Sequence, residues 1–287
     1  MNKTLEKIKE LIEYHKKKNP AYGDVLNFYE KVMQEQESIR PELDINLLQT
    51  KNYIKSLQMK EGFPLIDKRD FIIDITSSVQ LFELICRIGK NTNETMKNNI
   101  QAIEEAITIN ALNLKELLKG FYDDSLIDRI SKEFNIEKTI LIFLVHMSIQ
   151  PSIHANVEIL KDHIDFKKWL MGYCPICGSL PYMSELKENG QRYLICSFCD
   201  FQWPWERLKC PFCENSDHKK LHYLYAEGQE ACRIDLCDKC KQYIKTVDSR
   251  KLDHEPYTDI EDITTLHLDI LASDRGYKKP LPSFWGI

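Results

Sequence analysis

Eight cysteines arranged as four Cys-x-x-Cys pairs constrain this chain more than any other feature. The pairs are Cys174/Cys177, Cys196/Cys199, Cys210/Cys213 and Cys237/Cys240, and they fall within 67 residues of a 287-residue chain. A Cys-x-x-Cys step turns the backbone so that two sulfurs face one ion, and two such turns complete a tetrahedral four-sulfur shell. Sequential pairing is the natural one. Cys174, Cys177, Cys196 and Cys199 make site one, with 18 residues between the pairs, and Cys210, Cys213, Cys237 and Cys240 make site two, with 23. The alternative interleaves them, with the first and third pairs on one ion. Each span holds a β-rich stretch, 180–183 and 192–195 in the first and 222–225 in the second, so each site reads as a short ribbon.

A ribbon of about 30 residues buries too little apolar surface to fold alone, so bound metal supplies its folding free energy. The simplest reading is therefore a purely structural metal. A closed four-sulfur shell leaves no position for water or substrate, which disfavours hydrolytic metal catalysis. The shell accepts iron as readily as zinc. Disulfide exchange, the other use of Cys-x-x-Cys, is the lesser reading for four pairs at ribbon spacing.

The remaining thiols and imidazoles fit other roles. Cys86 continues an apolar helical stripe with Ile75, Val79 and Phe82 and reads as a small core residue. Cys232 falls outside the two sets of four and reads as a non-ligand, while His218 and His222, inside the second span, are weak substitutes for a cysteine. His146 reads as a hydrogen-bonded core histidine. Charge bears on nucleic acid, a common partner of zinc ribbons. The chain carries a formal net charge of -5, and residues 174–287 hold 15 Lys+Arg against 18 Asp+Glu, a net of -3. Thiolate-bound metal adds more negative charge, so a basic footprint is missing where nucleic acid would need it. Trp203-Pro204-Trp205, between the two sites, reads as packing between ribbons rather than an exposed anchor.

Everything before the cysteines reads as helical. Leu5, Ile8, Leu11, Ile12 and His15 recur at spacings of three and four, and Val25, Phe28, Tyr29, Val32 and Met33 repeat the pattern after Asn19-Pro20. Asp70 is the expected cap of a long helix through Cys86, and Pro151 the expected end of an almost wholly apolar helix from Ile140. About seven or eight helices follow from the pattern. Adjacent Glu104-Glu105 and Asp123-Asp124 are solvated faces or caps, not catalytic pairs. No apolar run approaches the roughly 20 residues that span a bilayer. The charged N-terminus lacks the apolar centre of a secretory signal, which points to the cytoplasm. The expected class is α+β: a helical domain over 1–171, four-cysteine ribbons over 172–205 and 206–252, and a C-terminal helix and tail over 253–287. Within the last, the acidic segment 253–274 should dock back on the fold through Ile263, Leu266 and Ile270.

The cysteine half resembles the formate dehydrogenase accessory protein family, the FdhE proteins. The matching elements run from Cys174-Pro175-Ile176-Cys177-Gly178-Ser179 through Gly190 to Cys199, the tryptophan-bearing link from Trp203 to Arg207, and Lys209-Cys210-Pro211-Phe212-Cys213. They continue with Arg233 to Cys240, Tyr243-Ile244-Lys245, and Asp262 to Ala272 with Gly276-Tyr277. Glycine follows only the first pair, at Gly178; Asp200, Glu214 and Lys241 follow the others, at turns where a positive φ favours glycine. The resemblance implies an α-helical N-terminal domain joined to two rubredoxin-like modules. It implies a non-enzymatic cytoplasmic accessory protein that associates with the catalytic subunit of respiratory formate dehydrogenase before twin-arginine export. It also implies two bound metal ions, iron by family expectation, with zinc as the substitute. Two other readings stand beside it: a rubredoxin-type electron carrier, and a nucleic-acid-binding zinc ribbon disfavoured by charge.

Overall fold

Amphipathic helices build the N-terminal part. The computed structural model describes residues 3–45, 61–163 and 165–281. Among them, seven α-helices precede residue 161: α1 Lys3–Lys18, α2 Gly23–Ile39, α3 Ile75–Gly89, α4 Glu94–Thr108, α5 Leu114–Lys119, α6 Asp124–Glu133 and α7 Lys138–Leu160. The apolar stripes read from the sequence are the buried faces. α1 buries Ile8, Leu11, Ile12 and His15, and α2 buries Leu26, Phe28, Tyr29, Val32 and Met33. Side-chain caps set the starts: Asn93 for α4, Asn113 for α5 and Asp123 for α6 each accept from a first-turn N–H.

Two helix boundaries differ from expectation. The cap of α3 is Asp74, which accepts from the Ser77 N–H, and not Asp70. Residues 68–70 form a tight 3-10 turn of their own, and Asp67 just before it accepts from Arg69, so the chain runs extended before α3 begins. Pro151 does not end α7, which continues to Leu160. Proline removes one N–H and orphans the carbonyl four residues back. That carbonyl belongs to Met147, and buried Gln36 of α2 donates to it from 2.7 Å. That carbonyl is thereby satisfied from a neighbouring helix.

α7 has the length and composition to cross a membrane, with a mean hydropathy of 1.3, which the polar interruptions at His146, Ser148 and Gln150 hid from a search for an unbroken apolar run. Its window is 78% buried within the fold, as in the central helix of a bundle.

The cysteine half is built on one sheet. β1 Pro181–Leu186, β2 Arg192–Cys196, β3 Gln202–Trp205, β4 Leu221–Leu224, β5 Cys232–Cys237 and β6 Gln242–Asp248 lie in the order β3-β2-β1-β6-β5-β4. Each ribbon is a three-stranded antiparallel set, and a parallel β1–β6 pair, Met183 opposite Lys245 to Leu186 opposite Asp248, fuses them. The two ribbons expected as separate modules therefore share a single sheet.

α8 Thr258–Thr264 and α9 Leu266–Asp274 supply partners for one sheet face. Ile234, Leu236 and Tyr243 pack with Leu268 and Ala272. The helix breaks at Thr265, which shifts the phase. Ile263 and Leu268 are buried, whereas Ile270, expected on the docking stripe, is 50% exposed. Lys245, only 1% exposed, sits in the same layer between Asp262 and Asp269, each at 2.6 Å, and Lys279 lies 3.2 Å from Asp262. Buried Lys245 and half-buried Lys279 face two buried carboxylates, so the two carboxylates are matched in charge.

Contacts divide the described residues into two compact units, 3–45 with 71–156 and 61–70 with 157–281. The expected boundary at 171 thus misses a strap. Residues 62–66 run along the first cysteine turn, where Leu65 N–H donates to Pro175 O (2.8 Å) and Ile66 N–H to Ile176 O (2.9 Å), while Tyr173 Oη donates to Gly62 O (2.6 Å). Residues 282–287 of the expected tail lie outside the described residues.

Candidate metal centres

Four copies of one tight turn present the sulfurs. In each, the residue after the second cysteine donates its N–H to the carbonyl of the first: Gly178 to Cys174 (2.9 Å), Asp200 to Cys196 (3.3 Å), Glu214 to Cys210 (3.0 Å) and Lys241 to Cys237 (2.8 Å). At that residue the backbone turns left-handed. The φ values are 74° at Gly178, 55° at Asp200, 56° at Glu214 and 57° at Lys241. The missing glycines therefore leave the geometry intact, at a steric cost that an L-residue pays there.

The turns meet in sequential pairs. Cys174, Cys177, Cys196 and Cys199 form one cluster and Cys210, Cys213, Cys237 and Cys240 the other. In the first, Cys174–Cys199 and Cys177–Cys199 sulfurs are 3.6 Å apart and Cys177–Cys196 sulfurs 3.4 Å. In the second, Cys210–Cys240 is 3.7 Å and Cys213–Cys237 3.6 Å. A tetrahedron with metal–sulfur bonds of about 2.3 Å has edges of about 3.8 Å. The spacing matches that edge and is far from the roughly 2.05 Å of a disulfide. Each cluster could hold one metal ion.

Backbone and side-chain donors address the sulfurs. Phe198 and Cys199 N–H point at Cys196 Sγ (3.4 and 3.5 Å), and Asn215 Nδ2 at Cys237 Sγ (3.8 Å). Burial raises the Cys174 and Cys199 thiols well above their ordinary range. Burial works the same way on Cys177, but its hydrogen bonds with Cys174, Cys196, Cys199 and Ser179 outweigh it and hold that thiol well below. In the second cluster burial pushes Cys240 up to about 11 and raises Cys210 further. Cys237 is lowered: burial opposes this, and the Cys240 and Lys239 N–H groups overcome it. Metal ligation needs the thiolate form, so a bound cation would displace protons from each cluster. The first cluster is wholly buried, whereas Cys213 and Cys240 of the second are partly exposed.

The other candidates lie elsewhere. Cys86 is buried on α3, where burial pushes its thiol to about 12. Cys232 on β5 contacts Glu261 Oε2 at 3.7 Å, outside both clusters. His222 pairs with Asp238 at 2.7 Å, His218 is exposed, and His146 is buried on α7. Trp203 and Trp205 are buried, and each holds the lead-in to one site: Trp203 Nε1 donates to Met171 O (3.2 Å) and Trp205 Nε1 to Lys209 O (3.0 Å).

Sequence reasoning missed two features. Gly172 allows the lead-in to site one to touch the first turn of site two, since a Cβ there would overlap the Pro211 carbonyl oxygen. A buried polar row also crosses four strands. Arg192 of β2 donates to Ser184 Oγ of β1 (3.1 Å), Ser184 meets Thr246 of β6 (2.7 Å), and Thr246 donates to Asp235 of β5 (2.6 Å). Its only sequence signal is polar residues at alternate strand positions, which ordinarily marks a solvated face.

The comparisons with known proteins fall on this geometry. The FdhE central-domain family model matches residues 173–207, and the FdhE C-terminal-domain model matches 208–284. The division falls between the two clusters, one to each domain. The cysteine half therefore matches both of these FdhE domains. An FdhE homologue of Aquifex aeolicus (strain VF5) is 28% identical over 277 residues, covering 94% of this chain and 91% of the relative. One from Stutzerimonas stutzeri (strain A1501) is 36% identical over 115 residues, covering 38% of this chain and 37% of that one. The crystal structure of the FdhE protein from Pseudomonas aeruginosa superposes with a TM-score of 0.71 at 22% identity, covering 98% of this chain and 93% of that one, which shows a shared fold. Within the matched region, the segment from Asp262 to Ala272 lies on the pair of helices that carries the Lys245 partners.

Proposed function

We propose that this chain is a cytoplasmic accessory factor for a respiratory formate dehydrogenase. It binds the catalytic subunit, is needed for its activity, and acts before twin-arginine export without catalysing a reaction itself. The FdhE domain matches support the accessory role. The observation that carries the reading is the pair of four-cysteine clusters, one in each FdhE domain. In this reading Cys174, Cys177, Cys196 and Cys199 ligate one ion and Cys210, Cys213, Cys237 and Cys240 a second, iron or zinc. Bound metal supplies cross-links between turns and, if iron, a one-electron couple. A closed shell offers no position for substrate, which supports a non-enzymatic role. The chain's own residues then do mechanical work. The four turns fix the sulfurs, the fused sheet fixes one site against the other, and the strap at 62–66 seals the first turn. The acidic charge of the cysteine half favours a protein partner over nucleic acid.

Affinity purification of the native chain tests this. Recovery of the formate dehydrogenase catalytic subunit, lost on C174S/C177S substitution, is the expected result. Unchanged formate dehydrogenase activity after deletion of the gene would overturn it. One observation favours the electron-carrier reading, the partial exposure of Cys213 and Cys240, through which an electron could leave site two. Colourless protein with zinc in both sites would dispose of that reading.

A further inference from the structure

The sheet face opposite α8 and α9 carries a small cavity beside site two. It measures about 70 Å³, is half open to solvent, and sets Arg192 of β2, Arg233 and Asp235 of β5, and Arg207 and Lys209 of the link after β3 against a largely apolar wall that includes Phe212 and Tyr223. At about 30 Å³ per water it has room for about two waters, the space of one small oxyanion. Lys209 already has Glu214 at 3.1 Å. That leaves three arginines against one carboxylate, an excess of two positive charges.

Two guanidiniums compete for Asp235, Arg192 Nη2 at 3.2 Å and Arg233 Nε at 2.9 Å. Asp235 also accepts from Thr246. The ion-pair distances are short, yet neither nitrogen is aligned for a hydrogen bond, and both are buried without a hydrogen-bond partner. Hydrogen bonds weaken steeply when bent, so the short distances leave both donors unsatisfied. Arg192 is 2% exposed, so its unmet donor cannot turn to bulk water. Buried donors of this kind ordinarily have an acceptor. The charge of a loaded site two, about -2 in the formal count, could neutralise the excess at a distance. It does not provide an acceptor, since no sulfur lies within hydrogen-bond reach of the Arg192 donor.

We propose that this cavity is a binding site for a phosphate-type oxyanion. Guanidinium groups arriving from β2, β5 and the β3 link offer donors from three directions, which suits a tetrahedral anion with several oxygens. Arg192 and Arg207 also line a second recess of about 240 Å³ that includes Trp169 and Trp205. The shared arginines make a phosphomonoester, with its organic body in that recess, the alternative ligand to free phosphate. The inference concerns the sheet and stands whether or not the formate dehydrogenase reading holds.

Calorimetric titration of the full metal-loaded chain at low ionic strength, with inorganic phosphate and with AMP as probes, tests it. Saturable binding of phosphate at about millimolar or tighter is expected. Tighter binding of AMP would assign the recess to a phosphomonoester, and equal binding would assign the site to free phosphate. R207Q and R233Q should each weaken binding about tenfold or more. K97Q, an equal charge change at an exposed position on α4, should leave it unchanged. R192Q should abolish binding, and its metal content, measured on the same sample, shows whether the fold survived. No saturable binding of either probe, or equal weakening by K97Q and R207Q, would overturn the proposal.

Discussion

The four turns make opposite predictions at equivalent positions. Gly178 has φ 74°, and a Cβ there would lie 3.1 Å from Pro64 Cγ. Gly178→Ala therefore adds left-handed strain of about 1–2 kcal/mol and a contact with a ring that cannot turn away, up to about 1 kcal/mol more. Because metal binding and local folding are one equilibrium, that total of about 1–3 kcal/mol should weaken metal binding at site one by about 5- to 140-fold. Glu214 adopts the same conformation, φ 56°, in site two. Glu214→Gly removes the steric cost but loses an exposed pair with Lys209 worth about 0–1 kcal/mol and loosens the unfolded chain by about 0.5–1 kcal/mol. The net effect should stay within about 1 kcal/mol of zero. Chelator competition on the zinc-loaded full chain reads both, since the untouched site is an internal control. A Glu214→Gly loss as large as that of Gly178→Ala, or no effect of Gly178→Ala, would refute the argument.

Further outcomes follow from the packing. Gln36→Leu should destabilise the chain by about 1–3 kcal/mol through the orphaned Met147 carbonyl, and in a Pro151→Ala background, which restores the helical N–H, denaturant unfolding should show a much smaller penalty. Lys245→Met leaves Asp262 and Asp269 facing one lysine, Lys279, and should cost about 3–5 kcal/mol. Burial opposes the charged form of both Lys245 and Asp262, but Asp262 and Asp269 hold the lysine above its ordinary 10.5, and Lys245 and Lys279 hold Asp262 below its ordinary 3.8. The Lys245 contribution is present below its unfolded value and is lost only as pH rises through the folded one, while that of Asp262 is lost only as pH falls through its depressed value. The Lys245→Met penalty should therefore be flat from about pH 6 to about pH 9 in urea titrations. Cys86→Ala and Cys232→Ser should both retain the wild-type metal content by elemental analysis, since neither thiol belongs to a cluster.

Much of this fold is written locally. The helical faces of α1 and α2 follow from spacings within 16 or 17 residues, and the sulfur clusters follow from pairs of short turns. What was not legible depends on long-range contacts. Pro151 reads as a helix end because nothing near it in sequence announces Gln36, 115 residues earlier. The parallel β1–β6 pair joins strands about 60 residues apart with no hairpin signal between them. Arg192 and Asp235 look like surface polar residues until the two ribbons become one sheet, and Ile270 looks buried until the break at Thr265 rotates it outward. In the cysteine turns, Asp200, Glu214 and Lys241 look like departures, yet their backbones follow Gly178.

Metal stoichiometry of the full chain purified without added metal tests the central claim most directly. The account predicts two ions per chain, falling to one in C174S/C177S and to one in C237S/C240S, with the intact site retained in each. Two ions surviving the loss of either pair, or a chain whose eight cysteines are recovered as disulfides under reducing purification, would contradict it.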